Sequence, residues 1–236
     1  MIITSDLHTH TVFSHGTGSV DDNVRAAIEK GLKEIAIADH SVGHLAYGVR
    51  DVEGYLKAID KAKKEYAGTI TVKSSLELNL LNEEGQLDVP KGYEDSFDML
   101  IFGFHKFANF TGFANKLRMY LPKSESPKAV ARNTRAYINA INRYKIDFVT
   151  HPGYGIPINK IEVAKAAAER GTRLEINNKH PEFTAEELKI CMDCGVGFTV
   201  NSDAHSPEKI GILDNALAKA SEAGVPASMI LNAEEN

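Results

Sequence analysis

Short apolar, β-branched runs recur along the chain, most of them followed by a longer segment whose apolar positions return every three or four residues. The runs are Ile2 to Leu7, Glu34 to Ala38, Thr69 to Leu78, Met99 to Phe104, Asp147 to Thr150, Arg173 to Ile176 and Val196 to Val200, seven candidate strands. Helical periodicity fills Asp21 to Lys30, Val52 to Tyr66, Lys128 to Tyr144, Ile161 to Arg170, Ala185 to Cys194 and Leu213 to Ala223. Strand then helix, repeated, predicts parallel strands. Gly31, Gly171, Gly195 and Gly224 each follow a helical run, where a left-handed residue ends the helix. Ser19 with Asp22, and Thr184 with Glu187, have the spacing at which a hydroxyl and an acid satisfy the free amides of a helix start. The least regular stretch, Phe107 to Pro127, reads as a long loop or short helix inserted after the fourth strand.

At 236 residues and 43% apolar content, the chain holds enough material for one core and a single domain, 1 to 236. No apolar run approaches the ~18 residues of a membrane span, and Met1 to His10 lacks the apolar centre of a secretory signal, so a soluble, cytoplasmic protein is expected. Cys191 and Cys194 have no second pair to complete a disulfide framework or a four-thiolate zinc site, and read as buried or half-buried thiols. A net charge of -5 argues against an electrostatic grip on nucleic acid, other than as substrate. The segment Lys116 to Lys128 is basic, with Glu125 its one acid, and fits either a solvated loop or a substrate-facing patch.

Parallel α/β architectures collect functional side chains where the carboxyl ends of strands converge. The first strand here ends in Asp6-Leu7-His8-Thr9-His10, and extended backbone puts His8 and His10 on one face. The second ends in Asp39-His40, the third carries Glu77, the fourth ends at His105, the fifth at His151 and the seventh at Asp203-Ala204-His205, while His15 follows the first. A single histidine in such a protein is more often a core or surface residue. Independent placement does not put His, Asp or Glu at six of seven strand ends, however, and the HxH and DxH pairs each set two such groups side by side. Imidazole with carboxylate, and no thiolate, suits zinc, manganese or iron. Seven histidines and two carboxylates exceed one tetrahedral shell, so two or three divalent ions per chain are expected. Adjacent cations acidify a water and clamp the attacking and leaving oxygens of a displacement at phosphorus, which points to hydrolysis of a phosphate ester.

Taken in order, His8-Thr9-His10, Asp39-His40, Glu77, His105, His151-Pro152 and Asp203-Ala204-His205 resemble the motifs of the PHP (polymerase and histidinol phosphatase) family, and within it the small stand-alone YcdX-type phosphatases. The resemblance runs from Ile2 to the helix after His205. It implies an α/β fold, a distorted (β/α)7 barrel of TIM-barrel-like form, with a trinuclear metal centre. One ion would be held by His8, His10, Glu77 and Asp203, a second by Glu77, His105 and His151, and a third by His15, His40 and His205. The same resemblance gives His8, His10, Glu77, Asp203 and His205 a bearing on catalysis and a bridging hydroxide as nucleophile toward a small phosphorylated substrate, a monoester. Cationic side chains would bind the phosphate oxygens, and Lys106, Arg118 and Lys179 are the candidates. Some relatives carry a carboxylate near the position of His15, so the third ion depends on a departure from the family pattern.

Asp39 points to the opposite face of its strand from His40, which favours a supporting hydrogen bond over ligation. His44 and His180, on the loops after the second and sixth strands, are candidates for substrate contact or for the general acid, and read equally as surface histidines. Glu175, Asn177 and Asn178 sit at the level of the site as supports or contacts. The turn His15-Gly16-Thr17-Gly18-Ser19 offers either anion-binding amides or plain turn chemistry. An amidohydrolase or a TatD-like nuclease shares the HxH and the late aspartate, and a non-catalytic metal-binding regulatory protein is the reading from another class. Asp39-His40, His15 and His205 favour the PHP assignment, as does a count of seven strands rather than eight. Histidinol phosphate, other monoesters, nucleotides and oligonucleotide ends all stay open as substrates, and so does the oligomeric state.

Overall fold

A computed structural model describes residues 1–112 and 125–235. Its strands are β1 (Ile2–Ile3), β2 (Ser5–Thr9), β3 (Glu34–Ile37), β4 (Thr71–Asn79), β5 (Met99–Gly103), β6 (Phe148–Val149), β7 (Arg173–Asn177), β8 (Phe198–Asn201) and β9 (Ala233–Glu234). The helices are α1 (Val20–Glu29), α2 (Val52–Glu65), α3 (Pro127–Arg143), α4 (Lys160–Arg170), α5 (Ala185–Asp193) and α6 (Asp214–Ala223). Strands β2 to β8 pair in sequential order, all parallel, into a nearly closed barrel surrounded by the helices. The seven barrel strands match the seven apolar runs, with one division: Ile2–Ile3 leaves the barrel to pair antiparallel with Ala233–Glu234.

Alternation along the strands separates two apolar layers. Val72, Leu76 and Leu78 of β4 face outward into the large core shared with Tyr55 and Ile59 of α2, and Glu77 and Asn79 therefore face in. Leu7, Ala36, Ala38, Met99, Ile101 and Phe148 form a second cluster that fills the barrel below the site. The seam between β8 and β2 is finished by side chains. Asn201 Oδ1 accepts from Leu7 N at 2.9 Å, and the Asp6 carboxylate accepts from Ser202 N at 3.1 Å and Gly211 N at 3.0 Å.

Both expected capping boxes form, at Ser19/Asp22 and Thr184/Glu187. Gly171 and Gly224 take the left-handed conformation that ends α4 and α6, at φ 68° and 73°. At its start, helix α6 has no side-chain cap from its own N-cap residue, Leu213. Asn178 supplies it from the end of β7, its Oδ1 accepting from Asn215 N at 2.9 Å and Ala216 N at 3.2 Å, which makes Asn178 a helix cap. No helix among the described residues is long and apolar enough to cross a membrane.

Candidate metal centre

The register of β2 against β3 shifts between Asp6 and Thr9, and this bulge decides what the first motif presents. Leu7 joins the inner apolar cluster, His8 also turns inward, and Asp6 is directed away to the β8 seam. Simple alternation would have placed Asp6 on the face of His8 and His10. His10 follows the strand, its backbone amide donating to Ala204 O at 2.8 Å, so the segment carrying Asp203 and His205 is held directly beside it.

Glu77 lies at the centre of the mouth. Its Oε1 is 2.9 Å from His151 Nε2, 3.2 Å from His105 Nε2 and 3.4 Å from His8 Nε2, and accepts from Thr150 Oγ1 at 2.8 Å. Its Oε2 is 2.8 Å from His40 Nδ1 and 3.8 Å from His10 Nε2. Asp203 Oδ1 lies 3.3 Å from both His10 Nε2 and His205 Nδ1. Three sets bring ligand-type atoms within 4.8 Å of one another: His8, His10 and Asp203; His40, Glu77 and His105; His10, His40 and His205. The second and third sets put His40 and His10 where the resemblance put His151 and His15. Those two remain adjacent, His151 on Glu77 Oε1 and His15 with its ring 4.1 Å from that of His205. Asp39 takes the supporting role expected of it, accepting from Thr11 N at 2.8 Å, Thr11 Oγ1 at 2.6 Å and Ser14 Oγ.

Two ligand-type rings are oriented from behind. His8 Nδ1 is 2.8 Å from Glu175 Oε1, and Glu175 also accepts from Asn201 Nδ2, His151 N and Asn177 Nδ2 at 2.8 to 2.9 Å. Its role is thus support rather than contact with substrate. His105 Nδ1 is 2.8 Å from Asn79 Oδ1, and Asn79 Nδ2 in turn donates to Asp88 Oδ2 at 2.6 Å. Asp88 also accepts from Asn79 N and Gly43 N, so it ties the loop after β3 to the end of β4. A Cβ at Gly43 would come 2.5 Å from that carboxylate. Asn79 and Asp88 were not anticipated. The signal for Asn79 was available, since Glu77-Leu78-Asn79 and Glu175-Ile176-Asn177 repeat one strand-end pattern with the Asn on the face of the Glu.

Burial without partners marks the site. His10 Nδ1, His15 Nδ1 and His151 Nδ1 are buried and have no hydrogen-bond partner, and His40 Nδ1, His105 Nε2 and Glu77 Oε2 are buried in contacts between His40 or His105 and Glu77 that lack hydrogen-bond geometry. Native interiors leave few such atoms, and the residues that bear them surround one site, in the donor chemistry that divalent ions accept. Burial, reinforced by His205 and His40, holds His10 well below the usual histidine range. Burial likewise lowers His40 to about 3 and His15 to about 4. Burial alone would raise Glu77 and Asp203, but the surrounding imidazoles hold both well below the usual carboxylate range. Burial would lower His8 too, yet Glu175, Glu77 and Asp203 hold it well above. Among the described residues, His151 and Asp203 are the two non-glycine positions with positive φ, at 27° and 53°. Such backbone is sparsely populated and collects at functional sites.

The remaining candidates lie around the rim. Lys179 Nζ is 2.9 Å from His205 Nδ1 and 3.6 Å from Asp203 Oδ1. His180 Nε2 is 3.8 Å from Asp203 Oδ2, and its ring stacks on Tyr154 at 3.7 Å. His44 is buried with its ring 4.8 Å from His40, and its Nδ1 accepts from Tyr47 N, which leaves Nε2 as its N–H. Lys106 is exposed on the turn after His105, and Arg118 lies outside the described residues, as does most of the basic segment. The turn after His15 is turn chemistry: Gly16 N donates to Thr11 O and Thr17 N to His205 O, both at 2.9 Å, so neither amide is free for an anion.

The model of the PHP domain family matches residues 6–180. The chain belongs to the PHP domain family. A probable phosphatase of Thermoanaerobacter sp. (strain X514) is 31% identical over 249 residues, covering 99% of this chain and 92% of that protein. A probable phosphatase of Caldanaerobacter subterraneus subsp. tengcongensis is 32% identical over 244 residues, covering 96% and 86%. The crystal structure of histidinol phosphate phosphatase from Lactococcus lactis, complexed with zinc, L-histidinol and phosphate, superposes with a TM-score of 0.66 at 17% identity, covering 95% of this chain and 94% of that one. That last likeness is one of fold. As a PHP-domain protein aligned almost end to end with probable phosphatases, the chain is an enzyme of the metal-dependent phosphatase and phosphoesterase class.

Proposed function

We propose that this chain hydrolyses a small phosphate monoester at a centre of three divalent ions, zinc, manganese or iron. The donors are His8, His10, His15, His40, Glu77, His105, His151, Asp203 and His205. The observation that carries the reading is the meeting of three sets of ligand-type atoms, the atoms of each set within 4.8 Å of one another, with His10 and His40 each shared by two of the sets. When bound, such ions supply an acidified water and neutralise charge on the phosphoryl group. Five of the donors are already in ligating form, with His10, His15 and His40 neutral and Glu77 and Asp203 ionised near neutral pH, while His8 and His151, raised by the surrounding carboxylates, would release a proton as metal binds. Glu77, with an oxygen toward each side of the cluster, joins the sites. Lys179 holds a positive charge at the mouth for a phosphate oxygen, and His44 offers its Nε2–H from the opposite rim. The zinc and phosphate held by the Lactococcus lactis protein fit this assignment.

Elemental analysis of the purified chain, together with turnover of a chromogenic phosphate monoester with added manganese or zinc, tests it. Two or more ions per chain are expected, and activity and metal should both be lost in a His8→Ala, His10→Ala variant that keeps its helical circular dichroism. Turnover of amides or lactones in place of phosphate esters would overturn the assignment.

A further inference from the structure

Nine large apolar side chains are exposed among the described residues, and Val12, Leu45, Tyr47, Phe107 and Tyr154 are on loops at the carboxyl ends of the barrel strands. Three gather on one side of the mouth: Leu45 is 53% exposed, Tyr47 44% and Phe107 51%. Tyr47 and Phe107 stand beside the cluster, since the His44 ring lies 5.3 Å from Tyr47, 6.3 Å from Phe107 and 4.8 Å from His40, and Leu45 follows His44 directly in the loop.

The loops that carry them are tightly held. Leu45 N donates to Phe107 O at 2.8 Å and Asn109 N to Gly43 O at 2.7 Å, so the loops after β3 and β5 form a short antiparallel ladder with His44 opposite Ala108. Arg50 Nη2 donates to His44 O at 3.0 Å and Leu45 O at 2.7 Å, while Gly48 N returns to His44 O. A braced backbone that presents three apolar side chains to water beside a strongly polar centre is a preorganised apolar wall.

We propose that this wall receives the leaving group, and that the leaving group bears a flat apolar ring, aromatic or heteroaromatic. The proposal rests on the reading of the centre as a phosphomonoesterase. A phosphoryl group at the cations places its ester substituent against the nearest rim, where Tyr47 and Phe107 supply ring faces and edges and Leu45 completes the surface. A sugar would leave its hydroxyls against Leu45 and Phe107, which have no side-chain group to bond them.

Matched esters test this, because 2-phenylethyl phosphate and ethyl phosphate release alcohols of similar acidity and differ in the ring. The metal-loaded natural protein should show kcat/KM at least ~10-fold higher for 2-phenylethyl phosphate, largely through KM, and the ratio should fall toward one in Leu45→Ala and in Phe107→Ala. A ratio near one in the natural protein, a ratio unchanged in the variants, or faster turnover of glucose 6-phosphate overturns the subsite while leaving the phosphatase intact. If metal-loaded protein hydrolyses none of these esters, the phosphatase reading falls and the subsite with it. The natural protein's ratio decides the matter by itself should either variant fail to fold.

Discussion

His8 and His105 each turn Nδ1 to a fixed acceptor behind the ring, Glu175 or Asn79, whereas His10 and His15 have no acceptor at their buried Nδ1 and His40 turns its Nδ1 to Glu77 itself. The two groups of rings do the same kind of chemistry by different means. Behind His8 and His105 a carboxylate or an amide sets the tautomer and aims the free nitrogen at Glu77, so those rings are oriented before any ion arrives. His10, His15 and His40 are kept neutral by burial and derive their geometry from strand, turn and ring stacking, such as the 5° interplanar angle of His15 on His40. Ions on the buttressed side should therefore bind tightly, and an ion at His15, His40 and His205 should exchange more readily.

Glu77→Gln should have the largest effect, because Glu77 serves both sides. Metal content should fall on both, and kcat/KM should drop by more than the ~100-fold upper range for supporting groups. Retention of a full complement of ions would mean that Glu77 does not join the two sides of the cluster. Glu175→Gln comes next. It places an amide N–H against groups that now donate to a carboxylate, and should weaken metal affinity ~10- to 100-fold and lower the melting temperature.

Asp88→Asn should give a similar loss of metal affinity with less loss of stability, read by titration with a chelator. The new amide would oppose Asn79 Nδ2, turn Asn79 over and present a donor to His105 Nδ1, forcing the wrong tautomer. The double change Asn79→Asp, Asp88→Asn restores the direction of both bonds and should recover affinity; failure to recover it in a folded protein would remove Asn79 from the orienting chain. His15→Ala should cost one ion while sparing the others. Loss of every ion would show that the sides do not bind separately.

The smallest effect is on pH dependence without metal. His15, His44 and His180 have folded values near 4 and His40 near 3, against ~6.5 when unfolded. Between pH 6.5 and 4 the unfolded chain takes up protons that the folded chain declines, so stability falls as pH falls. Asp39, raised to about 6 by burial, works the other way from about pH 6 downward, and Asp6 and Asp88 are raised in the same sense. His10 and His205 join the four lowered histidines, which outnumber these acids. His8 and His151, raised, add stability that is already complete below pH 6.5. The melting temperature of metal-stripped protein should accordingly decline from pH 6.5 to 4. A flat profile would mean that burial does not hold the unbuttressed rings neutral.

The ligand-type residues were legible because strands expose side chains with period two and parallel barrels gather strand ends on one face. That is why His8, His10, Glu77, Asp203 and His205 could be named from spacing together with family motifs. Asp39 as a support followed from the same alternation. The bulge that turns Asp6 away leaves no mark in the periodicity, since it depends on how β2 registers against β3. Asp88 was equally hidden, because it reaches Asn79 from a segment without regular structure, and the apolar wall joins residues of two loops through backbone bonds that no side-chain pattern encodes.

By itself, then, the chain of residues determined the number of barrel strands, the helices, their two capping boxes and glycine ends, and the groups that meet at the mouth, all consequences of local periodicity and of backbone groups satisfied near where they occur. Only the tertiary structure decided which nitrogen each ring turns inward, which acids stand behind the rings, and where the rim is greasy. Those features depend on distances between residues remote in sequence, set by register and by loop closure.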